Sequence, residues 1–303
     1  MTMLKYIIIT PARNEESNLP RLIECVVAQT RKPEKWIIVD DGSTDRTPEI
    51  ADRAAANHDW IEVIHRPQHM DRSFAAKVQA FNSAYASIRN IDYDIVGNID
   101  SDVSFKPDYF EILTNKFAAD SELGVAGTPF TQDGGYDSSQ DSFEGQNYVS
   151  GGCQLFRRKC FEEIGGYVPN RAGGIDWIAV MKARMKGWKV QSFQERRYHH
   201  YRLLGTAGKS KFRAAFEYGE KDYYLGGSPI WHFFRVLYRI PHQPLVLGSV
   251  GLLLGYYSAW VRRMPRPVPD DLVQFHRQDQ LKKLRQIIQT LVRFQKVDPF
   301  QTK

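Results

Sequence analysis

Cysteine is scarce in these 303 residues: only Cys25, Cys153 and Cys160 occur, with no C-x-x-C spacing. That excludes a disulfide framework and argues against a structural zinc, so the three read as packing residues in a reducing compartment. Low-complexity tracts and internal repeats are also missing, and with 42% hydrophobic and 25% charged residues the chain reads as folded rather than disordered. At the N-terminus the apolar stretch Ile7-Ile8-Ile9 turns polar at once and is too short for a signal peptide, which predicts a cytoplasmic protein. Acidic residues are absent from Tyr223 to Pro269, a stretch in which Arg235, Arg239, Arg262, Arg263 and Arg266 flank the uncharged run Leu245 to Val261. The net charge of +6 calls for an anionic partner without choosing its class. The local pattern, cations beside apolar chain, is that of a membrane surface.

What is present in the first two thirds is an alternation of strand and helix. Tyr6 to Thr10 is a β-branched run ended by Pro11, and Ser17-Asn18-Leu19-Pro20 opens a segment whose Leu22, Ile23, Val26 and Val27 recur at helical spacing. Trp36 to Val39 is the next strand, followed by a helix from Pro48 to Asn57. Trp60 to His65, a helix around Lys77 to Ile88, and Asp94 to Ile99 continue the series. Such alternation predicts a largely parallel sheet with ligands at the carboxyl ends of its strands. Two acidic clusters fall there, Asp40-Asp41-Gly42-Ser43-Thr44-Asp45 and Asp100-Ser101-Asp102. Adjacent carboxylates repel unless a cation or hydrogen-bond donors lie among them. A capped turn explains the first cluster taken alone, and a polar loop the second. Together, each ending a buried strand, they point to one site.

These segments, with Pro11-Ala12-Arg13-Asn14-Glu15-Glu16 and Gln29-Thr30, closely resemble the signatures of the family 2 glycosyltransferases. The resemblance runs over residues 5 to 205 and implies an α/β, GT-A nucleotide-sugar-binding fold with a mostly parallel central sheet, and transfer with inversion. By position, Pro11, Ala12, Arg13, Asn14 and Glu15 would line the nucleotide pocket, Asp40 would accept a hydrogen bond from the base, and Asp41 would support the turn. Asp102 would ligate a divalent cation, Mg²⁺ or Mn²⁺, bridging the donor's two phosphates, with Asp100 facing the ribose or a metal-bound water and Ser101 between them. Hard carboxylate oxygens suit either ion, and the cation would stabilise charge growing on the departing nucleoside diphosphate. Arg72 and Lys77 occupy the region that contacts the diphosphate in this family, the plain alternative being a solvated helix face.

Later segments extend the resemblance. Gly151-Gly152-Cys153-Gln154-Leu155-Phe156-Arg157-Arg158 with Ile164-Gly165-Gly166-Tyr167 is similar to the family's acceptor-side segment, and Gly174-Ile175-Asp176-Trp177 to its E-D motif, with Ile175 where Glu is usual. The resemblance makes Asp176 the catalytic base. An inverting displacement needs a carboxylate within hydrogen-bond reach of the acceptor hydroxyl, opposite the leaving group. A helix N-cap is the plain alternative. Tyr198-His199-His200-Tyr201-Arg202 resembles the late His segment that completes the metal or diphosphate site. His200 is favoured by its spacing to Arg202, His199 competes with it, and a structural histidine is the alternative.

Two regions are expected: a catalytic domain over 1–208 and a helical, membrane-associating region over 209–303. Lys209 to Gly219 reads as a basic amphipathic helix and Trp231 to Tyr238 as an aromatic segment between arginines. Leu245 to Val261 is at the lower edge of spanning length, so a surface-lying or re-entrant hairpin fits better than a crossing. Asp270 to Gln295 has Leu281, Leu284, Ile288 and Leu291 on one face and Lys282, Lys283, Arg285 and Arg293 elsewhere, the pattern of an interfacial helix. The alternative is a helical pair packed on the catalytic domain or forming a dimer contact.

The expected activity is transfer of a single sugar from a UDP- or GDP-sugar to a membrane-held acceptor, a polyprenyl-linked saccharide or glycolipid. The expected place is the cytoplasmic face of the inner or plasma membrane, in surface polysaccharide or glycolipid synthesis, with no nucleic-acid partner. Polymerisation is disfavoured by the lack of a Q-x-x-R-W motif and of several spans. Two other readings compete. A catalytically inactive nucleotide-binding membrane adaptor sits poorly with the presence of Asp40, Asp100, Asp102 and Asp176, and a nucleotidyltransferase with the lack of glycine from Pro11 to Asn18.

Overall fold

All seven residues of β1 (Tyr6–Ala12) are buried, as only an inner strand covered on both faces can be. The computed structural model describes residues 3–71, 73–140, 145–171, 173–202, 210–240 and 245–292. The chain divides into two units, Met1–Arg202 and Leu203–Lys303, so the expected boundary at 208 falls outside the described residues.

In chain order the first unit continues with α1 (Leu19–Val27), β2 (Lys35–Asp40), α2 (Thr47–Asn57), β3 (Ile61–His65), α3 (Phe74–Ser87), β4 (Ile95–Ile99) and β5 (Val103–Ser104). Then follow α4 (Tyr109–Ala119), β6 (Leu123–Gly127), β7 (Phe130–Gln132), β8 (Tyr136–Asp137), β9 (Cys153–Arg157), α5 (Arg158–Glu163), α6 (Ile175–Met185), β10 (Lys189–Ser192) and β11 (Tyr198–His200). Seven strands form the main sheet in the order β10-β6-β9-β4-β1-β2-β3, parallel except for β9 against β4 and β6. A smaller sheet has the order β5-β11-β7-β8.

Strand alternation divides the core in two. Tyr6 and Ile8 of β1 face Leu22 and Val26 of α1 and Phe110 and Leu113 of α4, whereas Ile7 and Ile9 join Val78 and Phe81 of α3 and Phe161 of α5. The first strand runs past its expected end. Pairing with β4 stops at Ile9 while pairing with β2 continues to Ala12, so Pro11, with no N–H to donate, sits where the strand keeps a single neighbour. All three cysteines are free, and burial pushes the Cys153 and Cys160 thiols up to about 12, in keeping with packing rather than reactivity.

The second unit contains α7 (Lys211–Tyr224), α8 (Pro229–Arg239), α9 (Leu245–Val261) and α10 (Asp270–Val292). Helix α7 starts at Lys211, with the Ser210 hydroxyl accepting the Arg213 N–H, and extends past the expected end at Gly219. Glycine explains how α7 and α9 meet: a Cβ on Gly219 would lie 2.1 Å from the Leu252 carbonyl oxygen, and one on Gly255 2.0 Å from that of Phe216. Backbones approach this closely only across small-residue positions.

In helix α10 Lys282 and Arg285 are exposed, while Lys283, expected on the same basic side, faces inward. Lys283 is buried with Nζ 3.2 Å from Asp279, and Gln280 accepts the Ser228 N–H at 2.7 Å. Val273 fills the space at Gly226, so the face centred on Leu272, His276 and Lys283 packs inside the unit. Segment 293–303, including Arg293, lies outside the described residues. No helix among the described residues is long and apolar enough to cross a membrane.

Asp222 anchors the helices of this unit. Its carboxylate lies 2.5 Å from His232 Nδ1 and 3.4 Å from Arg235, and His232 Nε2 is 3.2 Å from the Leu252 carbonyl. Burial opposes its ionisation, but Arg235 and His232 prevail and hold it below the ordinary aspartate value. A depressed carboxylate stabilises the fold above its unfolded value and ceases to do so as pH falls through the folded one. Acidification below about pH 4 is therefore expected to lower the melting temperature of wild type more than that of Asp222→Asn, which is already weaker at neutral pH. Parallel melting curves in calorimetry across that range would count against the ion pair.

Candidate active site

The segment after β1 and the segment after β2 are hydrogen-bonded into one wall. Asn14 takes a φ of 55°, a left-handed conformation that asparagine tolerates. Its Oδ1 accepts the Thr44 N–H at 2.8 Å, and its own N–H donates to Ser43 Oγ at 3.0 Å. Glu15 and Glu16 donate their N–H groups to Thr47 Oγ1 (2.7 Å) and Asp45 Oδ2 (3.1 Å). Pro11 and Ala12 stand beside Val39 and Asp40 at the strand ends.

The turn contact expected of Asp41 is made by Asp40. The turn is supported by Asp40, the last residue of β2, whose Oδ1 accepts the Ser43 N–H at 3.0 Å while Oδ2 lies 3.2 Å from His65 Nδ1. A carboxylate at a strand end overhangs the turn that follows. Asp41, one position on, instead accepts from Arg66 and from His69 Nε2 at 3.0 Å. Arg13 reaches the same loop, bonding to His69 and to the carbonyl oxygens of His69 and Asp71. Its guanidinium thus fixes the 69–71 segment. Arg72 lies outside the described residues.

The acidic centre forms where β4 ends. Strand β11 lies antiparallel to β5 with His200 opposite Val103, and this register carries a late histidine to the D-x-D segment. Asp100, Asp102 and His200 offer ligand atoms all within 4.8 Å of one another, the one such group of three or more among the described residues. His200 Nδ1–H donates to the Arg202 carbonyl at 2.6 Å, which turns Nε2 toward Asp102 at 3.7 Å. A metal-ligating histidine is oriented in this way, by a hydrogen bond from its other ring nitrogen. His199 points away, its ring nitrogens 3.2 Å from Thr131 Oγ1 and 3.2 Å from Asp133, because neighbouring strand residues face opposite sides. The structure therefore sets His200, not His199, at this centre.

Positive charge is built in beside it. Lys77 is not on a solvated helix face: its Nζ lies 2.5 Å from Asp100 Oδ1. Burial works against its charge, yet Asp100, Asp102 and Asp176 raise it above the usual lysine value. Arg202 pairs with the buried Glu15 and places Nε 3.4 Å from Asp102 Oδ2. Burial and the like charge of Asp100 push Asp102 up from the ordinary carboxylate range, against the pull of His200 and Arg202. Ser101 is buried between the two carboxylates.

Asp176 joins this group through a glycine turn. Helix α6 is N-capped by Gly174, so Asp176 is its second residue and not its cap. A Cβ on Gly151 would lie 2.9 Å from Asp176 Oδ2, and the neighbouring Gly152 carbonyl accepts the Asp100 N–H at 2.9 Å. One short turn thus touches Asp176 on one side and the D-x-D backbone on the other. Tyr148 donates its hydroxyl to Asp176 Oδ2 at 2.7 Å. Tyr148, Arg66 and His69 carry no motif. The last two directly follow β3, and the rule that ligands gather at strand ends was the signal available for them.

A sequence model described as Glycosyl transferase family 2 matches residues 7–144. Over 123 residues the chain is 29% identical to Glycosyltransferase GlyA of Streptococcus pneumoniae, 40% of this chain and 16% of that protein. Over 119 residues it is 29% identical to 4,4'-diaponeurosporenoate glycosyltransferase of Staphylococcus aureus, 39% of this chain and 29% of that one. The chain thus spans less than a third of the length of these curated relatives.

Among solved structures it is similar to mannosyltransferase PcManGT from Pyrobaculum calidifontis in complex with GDP-Man and Mn²⁺. There the TM-score is 0.56 at 18% identity, covering 88% of this chain and 77% of that one. It is also similar to S. aureus TarS 1-349 in complex with UDP-GlcNAc, with a TM-score of 0.55 at 12% identity, covering 96% and 93%. At such identities the likeness is one of fold. Both strand-end Asp motifs thus lie within the segment, residues 7–144, that matches the Glycosyl transferase family 2 model, and the sheet that carries them is a GT-A-like α/β sheet.

Proposed function

We propose that this chain is an inverting, metal-dependent glycosyltransferase that takes its sugar from a nucleoside-diphosphate donor. The observation that carries the proposal is the convergence of Asp100, Asp102 and His200 with Asp176 across the 151–152 turn. Two carboxylates and an imidazole suit a divalent cation such as Mg²⁺ or Mn²⁺. Asp102 is buried beside the like charge of Asp100, an arrangement whose electrostatic cost a cation there would relieve. When bound, that cation supplies Lewis acidity to the diphosphate leaving group.

The chain's own residues do the rest. Asp102, Asp100 and His200 would hold the cation, with Asp102 the principal ligand because Lys77 already engages Asp100. Lys77 and Arg202 add positive charge where the leaving group gains negative charge, and Glu15 fixes Arg202 in place. Asp176 takes the proton of the attacking hydroxyl. Tyr148 occupies its Oδ2 and leaves Oδ1 for that role. The Asp40–Asp41 wall, next to Pro11 and Ala12, receives the nucleoside.

GDP-Man with Mn²⁺ and UDP-GlcNAc in the two structural neighbours support the donor class. For the acceptor we favour a glycolipid or polyprenyl-linked saccharide at a membrane face, supported by the arginine-flanked apolar composition of residues 223–269. The test is a thermal-shift screen of UDP- and GDP-sugars with and without Mn²⁺. One donor at about a hundred times its Kd should stabilise the fold by roughly 2.7 kcal/mol, an effect abolished by chelation. If no nucleotide sugar shifts the melting temperature with any divalent cation, the proposal fails.

A further inference from the structure

The side of α9 that meets solvent is apolar along its length. Leu247, Val250, Leu254, Tyr257, Trp260 and Val261 are all exposed, with Leu247 at 67% and Val261 at 72%. The opposite side, with Gly251, Leu252, Gly255, Tyr256 and Ala259, is buried. Helix α8 repeats the pattern: Ile230, Phe233, Leu237 and Ile240 are exposed at helical spacing, while Trp231, His232 and Val236 face inward. The two helices pack on each other, and between Tyr223 and Pro269 no acidic side chain interrupts this surface. Soluble monomers rarely expose contiguous apolar area on this scale.

Cations gather where α9 ends. Arg263 closes the helix in the left-handed conformation, with φ 50°, while Met264 N–H returns to the Ala259 carbonyl. That closure normally takes glycine, so an arginine is held there against a local backbone cost. With Tyr223, Trp260 and Val261, Arg263 lines a cleft of about 400 Å³. Arg266 covers the Tyr223 ring at 4.5 Å beside it. A cationic, aromatic-walled cleft at the rim of an apolar surface has the chemistry of a lipid phosphate site.

We propose that the exposed apolar faces of α8 and α9 lie in the headgroup boundary of a bilayer carrying anionic lipids, with Arg263 on a lipid phosphate. At seventeen residues α9 is about 25 Å long, short of the roughly 30 Å hydrocarbon core, so it lies along the membrane and does not cross it. The docking surface proposed is that of α8 and α9. This proposal stands on the C-terminal unit alone and is read without turnover, so it and the transferase reading fail separately.

The experiment is co-sedimentation of the full chain with vesicles of phosphatidylcholine alone and of equal parts phosphatidylcholine and phosphatidylglycerol. Binding is expected to the mixed vesicles and to be much weaker with phosphatidylcholine alone. Leu247→Glu with Leu254→Glu, both on the exposed side of a helix that glutamate favours, should reduce binding at least tenfold with an unchanged melting temperature. Arg263→Gly should keep or raise the melting temperature, since glycine suits the left-handed position, yet weaken binding to the mixed vesicles about fivefold.

Three results would overturn the proposal. One is a full chain that stays in the supernatant with mixed vesicles. Another is a double variant that binds as well as wild type. The third is a full-chain dimer by light scattering that Leu254→Glu dissociates without any vesicle binding, which would assign the face to a second copy.

Discussion

Asp176→Asn should lower the rate of sugar transfer by about 10²- to 10⁴-fold, the range expected when a positioned general base is removed. Donor affinity should stay close to wild type. The substitution keeps the size of the side chain, and the amide oxygen can still accept the Tyr148 hydroxyl now 2.7 Å from Oδ2. It also leaves Gly151 in place, since that contact depends on shape. The two readouts are single-turnover transfer at saturating donor and titration of the nucleotide sugar. Loss of rate with preserved binding assigns Asp176 to proton removal. An equal loss of binding would instead give it a part in holding the donor, and an undiminished rate would place the base elsewhere.

Asp102→Asn should abolish the dependence of donor binding on Mn²⁺ and weaken cation affinity by at least about 100-fold, because ligand charge governs affinity at oxygen-rich sites. Asp100→Asn should do less, since Lys77 already neutralises that carboxylate. The order of the two variants is the informative outcome. Calorimetric titration of Mn²⁺ in the presence of UDP or GDP gives it directly, and an inverted order would make Asp100 the principal ligand. His200→Ala belongs in the same series. With Nδ1–H committed to the Arg202 carbonyl, His200 has one nitrogen to give, and its loss should weaken the cation without removing it.

Much of this site could be read before any coordinates, because its parts sit at places that strand alternation marks. Asp40, Asp41, Asp100 and Asp102 each follow a β-branched run, and a parallel sheet puts such positions on one edge. What the residues alone left open were choices of direction. Whether His199 or His200 faces the carboxylates depends on which side of β11 is turned inward, and that follows from its register against β5, a strand of only two residues. The parts of Asp40 and Asp41 turned on whether the strand ends at Val39 or Asp40, a shift of one residue that periodicity does not resolve.

Tyr148 was out of reach for another reason. It lies in an irregular segment between short turns, and its partner Asp176 becomes a neighbour only through the packing of Gly151. In α10 it was the direction of one cation, Lys283, that periodicity left open. Its leucines and lysines repeat as in an interfacial helix, but Lys283 is neutralised by Asp279 and buried, and Gln280 is engaged by the Ser228 backbone. A periodic pattern records which residues share a side of a helix, and packing decides which side is inward.

The union of β11 with β5 also has a consequence for the order in which the protein is made. Residues 100–102 leave the ribosome well before His200 and Arg202. At about 5–20 residues per second the interval is on the order of 5–20 s. Throughout it the growing chain has both carboxylates and Lys77 but neither the imidazole nor the guanidinium that completes the group. Lys77 is the partner the chain already carries for Asp100, and the Asp100–Asp102–His200 group is complete only when β11, the last strand of the first unit, docks.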